Sequence, residues 1–162
     1  MLLGQGHHDG AIAEVESALA ISPNLANAHA VLGQILLHTG RPQEGRVAIE
    51  KSIRLDPRDA FAQLNLMNVA ISFYLSREYG SAVEAAKRVV RAYPDFPHIY
   101  PWLVAALGQS GWIEEARRAL QEAIAIASAS FDLLIRRRPP WYRSEDLDHL
   151  IEGLHKAGWR ET

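Results

Sequence analysis

Ser52-Ile53-Arg54-Leu55-Asp56-Pro57 ends an apolar-periodic run at a proline, and the chain repeats this ending on either side. Upstream stands Ala18-Leu19-Ala20-Ile21-Ser22-Pro23, and downstream Val89-Val90-Arg91-Ala92-Tyr93-Pro94. Twelve residues before each proline lies a small residue: Ala11, Gly45 and Ala82. A fourth, Ala116, has the same surroundings, with Ser128 in place of the proline. The small residues are spaced 34, 37 and 34 apart, which is the period of a helical-hairpin repeat. Ala11, Val15, Ala18 and Leu19 fall at i, i+4, i+7 and i+8, a single helical stripe. Val47, Ile49, Ile53 and Leu55 place apolar groups in the matching helix of the next unit. Each such helix stops at the residue before proline, where the α region is sterically disfavoured. Turns at Gly40-Arg41-Pro42 and Gly111-Trp112 join the two helices of a unit. Small residues at the crossing let two backbones approach closely.

The pattern resembles the tetratricopeptide repeat. The second unit carries the landmarks Leu32, Gly33, Leu36, Gly45, Ile49, Ser52 and Pro57. The fourth carries Tyr100, Leu103, Leu107, Gly111, Ala116, Leu120 and Ala123. The resemblance covers residues 1–128 and implies an all-α solenoid of helical hairpins, a right-handed superhelix. Its divisions are a half-repeat 1–24 and repeats 25–58, 59–95 and 96–128. The third unit is longer by three residues, nearly one helical turn, and the insertion is expected in its first helix between Ala60 and Arg77. Met1–Gly6 supplies only the last turn of a first helix, leaving an open half-repeat that cannot bury its apolar face alone. Leu2, Leu3, Ile12 and Val15 on that face predict a homodimer.

Residues 129–162 form a C-terminal cap. Phe131–Ile135 begins a last first-type helix, and Pro139-Pro140 after Arg136-Arg137-Arg138 ends it. Trp141-Tyr142-Arg143 follows in extended form, with Trp141 and Tyr142 packing over the last repeat. Ser144 is the expected N-cap of a closing helix, with Glu145, Asp146 and Asp148 at its positive end. Leu147, Leu150, Ile151 and Leu154 form its stripe, and Gly158 suits C′. The tail Arg137-Arg138-Pro139-Pro140-Trp141-Tyr142-Arg143, with Gly153-Leu154-His155-Lys156-Ala157-Gly158, is similar to the end of bacterial, rhizobial-type class III adenylate/guanylate cyclases that carry tetratricopeptide repeats. That similarity implies a regulatory or scaffolding segment whose partner is its own N-terminal catalytic domain. The cyclase's metal-binding and base-reading residues have no counterpart here.

Composition bounds the chemistry. The 162 residues carry 17 Lys and Arg against 19 Asp and Glu, a net charge of -2, without the basic footprint of a nucleic-acid binder. Having no cysteine, the chain has no disulfide, zinc-thiolate site or thiol nucleophile. It shows no leader and no membrane-length apolar run, so a soluble, cytoplasmic protein is the expectation. Of the seven histidines, His7-His8-Asp9 is densest, but adjacent helical side chains diverge, and no metal-ligand spacing exists. Neither a Gly-x-Ser-x-Gly elbow nor a phosphate-binding glycine loop occurs. The chain is read as non-catalytic, with no cofactor. Arg136–Arg143 with its two aromatics is a secondary candidate for nucleic acid.

Residues 26–39, 60–76 and 97–110 contain no Asp, Glu, Lys or Arg. By the resemblance these first helices line a concave groove. The groove residues expected to meet a peptide are Asn27, Gln34, Leu37, His38, Asn65, Asn68, Ser72, His98, Trp102 and Gln109. The carboxylate clamp that chaperone-binding repeats build from Lys and Arg is replaced by Asn27, Ala30, Gln34, His98 and Trp102, so a peptide's terminal carboxylate finds no fixed positive charge. Two readings fit a neutral groove. It binds an external helix or extended peptide with apolar anchors, or its residues are buried by the superhelix and the closing helix. The expected role is protein–protein interaction, as part of a cyclase-like protein or as a free-standing adaptor.

Overall fold

A computed structural model describes residues 7–160. Among these the chain forms eight α-helices and no strand: α1 (His8–Ile21), α2 (Ala26–His38), α3 (Pro42–Leu55), α4 (Ala62–Leu75), α5 (Tyr79–Ala92), α6 (Tyr100–Gln109), α7 (Ile113–Asp132) and α8 (Ser144–Lys156). A 3₁₀ turn, Pro97–Ile99, leads into α6, and a π-helical turn, Leu133–Arg137, extends α7. Neighbours in sequence pack as neighbours in space from α1 to α7, which makes a solenoid of hairpins. The open half-repeat rests partly on Met1–Gly6, which lies outside the described residues. Among the described residues no helix is long and apolar enough to cross a membrane.

The small residues act at the crossings. A Cβ on Gly45 would stand 2.6 Å from the Gly33 carbonyl oxygen and 2.9 Å from the Leu37 nitrogen. Those contacts are backbone, so they cannot yield as a flexible side chain does. Each hairpin turns on one left-handed residue: Gly40 (φ 84°), Arg77 (φ 62°) and Gly111 (φ 76°). After each, the next amide reaches back to close the helix end. Arg41 donates to Leu36 O at 2.9 Å, Glu78 to Phe73 O at 2.9 Å and Trp112 to Leu107 O at 3.2 Å. Only glycine takes this backbone without a Cβ penalty. Arg77 therefore carries strain, and its side-chain hydrogen bond to the Tyr79 hydroxyl, at 3.3 Å, is exposed. Arg77→Gly is expected to stabilise the fold by about 1 kcal/mol and raise Tm by roughly 2–4 °C. A melt at or below the wild-type temperature would contradict it.

The three extra residues of the third unit make an added turn at the start of its first helix. Ala60 and Phe61 form a turn ahead of α4. Asp59 holds it, its carboxylate accepting from the Phe61 amide at 3.0 Å and from Asn65 Nδ2 at 3.0 Å.

The C-terminal part departs from expectation in three ways. First, no separate helix begins at Phe131. Before Pro23, Pro57 and Pro94, the residues Ser22, Asp56 and Tyr93 are driven to ψ 86°, 86° and 70°. Ala127, before Ser128, reaches only φ -128°, ψ 26°, and α7 bends there and continues. Serine lacks the ring that forbids the α region to its predecessor. Second, of Trp141-Tyr142-Arg143 only Arg143 is extended (φ -69°, ψ 142°); the Tyr142 amide closes a turn on Pro139 O at 3.0 Å. Third, Ser144 makes no side-chain cap; it is the first residue of α8, and Arg143 is the N-cap. At the other end Gly158 takes φ 99°, and the Gly158 and Trp159 amides donate to His155 O and Leu154 O, each at 3.0 Å. This is the six-to-one, five-to-two closure of a glycine-terminated helix.

α8 packs on α6. Its stripe Leu147, Leu150 and Leu154 is at most 1% exposed. Residues 100–108 of α6 are buried throughout, between the hairpin helices on one side and α8 on the other. A helix that is apolar all round needs such cover.

Candidate interaction groove

The first helices α2, α4 and α6 present one face of the solenoid, and the chain's own tail crosses it. The Tyr142 ring is held edge-on to His38 at 4.8 Å between centroids, with Trp102 at 5.8 Å on its other side. Tyr74 donates to His149 O at 2.7 Å, and Tyr79 Oη shares a hydrogen bond with His149 Nε2 at 3.0 Å. Lys156 donates to Gln109 Oε1 at 2.7 Å. Tyr142 thus packs across the array, against α2 and α6, and not over the last repeat alone.

This crossing sorts the ten expected groove residues. Asn27, Gln34 and His98 are exposed, and Gln109 is half-buried under Lys156. Asn65 is tied to Asp59, and Ser72 donates to Val69 O at 2.6 Å within its own helix. Leu37 and Trp102 lie in the core, with Trp102 edge-on to Tyr74 at 5.5 Å. His38 and Asn68 are buried but face a cavity of 270 Å3. The sequence reading missed the other wall of that cavity, which is built from Leu133, Leu134, Pro139, Trp141 and Tyr142. The uncharged run 97–110 held the clue, because α6 has no polar face to offer solvent.

Electrostatics follow from burial. His38 is 6% exposed, its Nδ1 is buried without a partner, and desolvation with a charge contribution from His8 lowers its pKa to about 4. Burial also lowers His149, and it raises the Tyr142 phenol well above its ordinary value. The basic segment is neutralised locally. Arg136 and Arg137 lie 3.6 and 3.4 Å from Asp132, Arg138 lies 2.8 Å from Asp148, and Arg143 pairs with Glu145 and Asp146. Those guanidiniums are engaged by carboxylates within the chain, which argues against a phosphate-reading stripe. Among the described residues no group of three or more His, Asp or Glu side chains is placed to hold a metal.

The sequence profile of the tetratricopeptide repeat matches residues 2–68. Among curated proteins none matches this chain. Solved structures share its fold. A crystal structure of MamA has a TM-score of 0.69 at 19% identity, covering 97% of this chain and 93% of that one. A second MamA structure has 0.66 at 21%, covering 95% and 85%. YrrB, described as a TPR protein with an unusual peptide-binding site, has 0.64 at 16%, covering 93% and 76%. The chain is an all-helical solenoid of the tetratricopeptide type.

Proposed function

We propose that this chain is a protein-binding adaptor without catalytic chemistry of its own, which takes an uncharged polypeptide segment on its first-helix face. The observation that carries this is the absence of Asp, Glu, Lys and Arg from residues 26–39, 60–76 and 97–110, together with the exposure of Asn27, Gln34 and His98 on that face. A solvated groove of neutral amides and imidazole, next to apolar side chains, favours apolar anchors and backbone hydrogen bonds over ion pairs. The similarity to YrrB, a protein described by its peptide-binding site, supports the same reading.

The cyclase-linked reading rests on the tail resemblance alone, and the tail residues have packing duties that account for them. Tyr142 fills a slot between His38 and Trp102, Arg138 pairs with Asp148, and Gly158 closes α8. The adaptor reading is therefore preferred. It is tested by recovering partners from the source cells with wild-type protein and with Gln34→Lys. A partner bound by an uncharged groove survives a rise in salt that would strip phosphate contacts, and it is lost from the variant. Recovery of the same partners by both proteins would end the reading.

We also propose self-association through α1. No residue of α1 is fully buried, Ile12, Val15 and Leu19 are half-buried, and Ile21 is 87% exposed. Sedimentation is expected to show a dimer that Val15→Asp dissociates; an 18.0 kDa particle at all concentrations would contradict it.

A further inference from the structure

The second helices lie side by side, away from the groove. Arg46 of α3 pairs with Glu78 at the start of α5 at 3.0 Å, and Lys87 of α5 pairs with Glu115 of α7 at 2.7 Å. Gly45 and Ala82 share one register, 37 residues apart, so Lys51 corresponds to Arg88 and Arg54 to Arg91. These four cations form two short rows across α3 and α5. Arg54, Arg88 and Arg91 are exposed, and Lys51 is half-buried. Unlike Arg46 and Lys87, none of the four makes an ion pair or a side-chain hydrogen bond among the described residues. Helix ends account for half of them: Arg54 and Arg91 lie in last turns, where a cation complements the dipole. Lys51 and Arg88 stand a turn earlier and gain little from it. Nor does the repeat itself demand cations there, since the same positions hold Ser17 and Ala20 in α1 and Glu122 and Ala125 in α7. Val47 and Leu55, four residues before and after Lys51, share its helix face and are 65% and 38% exposed.

We propose that these rows are a second docking surface, which takes an acidic polypeptide segment carrying apolar residues beside its carboxylates. This goes beyond the groove reading: the first helices are uncharged and the rows are cationic, so the two faces select different partners and the chain joins them. The spacing suits a short segment. Lys51 and Arg54 stand about 5–6 Å apart as an i, i+3 pair, and packed helices have axes about 8–10 Å apart. A helix rising 1.5 Å per residue crosses that gap in about two turns, so carboxylates on one face of it reach both α3 and α5. Single exposed ion pairs contribute little, and affinity rests on engaging several at once with Val47 and Leu55 at the border. A nucleic-acid strand fits less well, because the rows hold no aromatic residue for bases to stack on and end at Glu122 of α7. An anionic bilayer lies across the whole face and meets the exposed Glu84 and Glu122 as well, which cancels much of its attraction. A narrow acidic segment meets the cations alone.

The test titrates the full chain into a fluorescein-labelled peptide of Glu-Glu-Leu repeats and follows anisotropy. Binding is expected, and it should weaken about tenfold as salt rises from about 0.1 to 1 M and the Debye length falls from about 10 to 3 Å. Arg88→Glu with Arg91→Glu should weaken it about tenfold, with a melting curve near wild type. Lys51→Glu with Arg88→Glu should do the same while leaving both helix ends untouched, which separates a lost contact from fraying of α5. Arg160→Glu, at an exposed site off the rows, should leave binding unchanged, and a Gln-Gln-Leu peptide should not bind. Equal binding of the Gln-Gln-Leu peptide, undiminished binding by both double variants, an equal loss with Arg160→Glu, or no binding at all would overturn the surface. Tighter binding of a single-stranded oligonucleotide or of phosphatidylglycerol vesicles than of the acidic peptide would overturn its assignment to a polypeptide. Sedimentation in which the double variants dissociate a wild-type dimer would overturn the external partner, because the rows would then hold Asp9, Glu14 and Glu16 of a second copy's α1. None of these outcomes bears on the groove, which is judged separately by partner recovery with Gln34→Lys.

Discussion

Gly153→Val is expected to unseat α8 and to cost about 3 kcal/mol, at the upper end for overpacking. A Cβ at this position would stand 2.5 Å from the Tyr74 hydroxyl, 2.8 Å from the Ala105 carbonyl oxygen and 2.9 Å from the Ala105 Cβ. The tyrosine can swing, but the α6 backbone cannot, and the matching glycine on α6 is no freer. A Cβ on Gly108 would run into the Gly153 carbonyl and stand 2.9 Å from the Ala157 nitrogen. Relief requires α8 to lift, which uncovers Leu147, Leu150 and Leu154 and breaks the bond from Tyr74 to His149 O. Tm should fall by on the order of 10 °C, given the few degrees per kcal/mol of a domain this size. The tail should also become sensitive to protease before α1–α7 does. Gly80→Ala gives the opposite sign: nothing lies within 4 Å of its Cβ position, so the substitution should gain up to about 1 kcal/mol of helix propensity. A Gly153→Val protein that melts with wild type would mean that the α6–α8 contact is not as close as described.

That contact marks where sequence reading stopped. The hairpin period, the small crossing residues and the proline stops are local or nearly local properties, and they were legible: Ala11, Gly45, Ala82 and Ala116 alone predict the stack. The stripe of α8 was legible for the same reason. Which surface receives it was not, because a helical period says which residues share a face and nothing about what the face meets. The left-handed turn at Arg77 was hidden by its residue type, although the positions of Gly40 and Gly111 gave its register. The groove was half legible. The uncharged runs located it, but Asn27 and Trp102 fall in equivalent kinds of run and end with opposite fates, one exposed and one 2% exposed. Only the return of the tail separates them, and that return depends on glycines 45 residues apart, Gly108 and Gly153.

Acid should loosen the same junction. His38 titrates at about 4 in the folded chain against 6.5 for an ordinary histidine, because its ring is buried, packed edge-on to Tyr142, and His8 adds a like charge. The unfolded chain takes up this proton as pH falls below 6.5, and the folded chain does so only near 4. Its contribution to stability is thus intact above pH 6.5 and drains away as pH falls towards 4. Between pH ~7 and ~5 the loss from His38 comes to about 2 kcal/mol. His149 adds a smaller loss of the same sign, its pKa being lowered by burial at a partly exposed site. Glu44, Glu145 and Glu152, held below the usual carboxylate value by Arg41, by backbone and Arg143 contacts, and by Lys156, lose their pairing only at still lower pH. The histidines therefore dominate the window. Denaturant unfolding at both pH values should show the loss in wild type and a much flatter response in His38→Phe, which keeps an aromatic ring against Tyr142 and removes the proton site. If His38→Phe loses as much stability as wild type, the acid sensitivity arises elsewhere and the buried, neutral imidazole is not its cause.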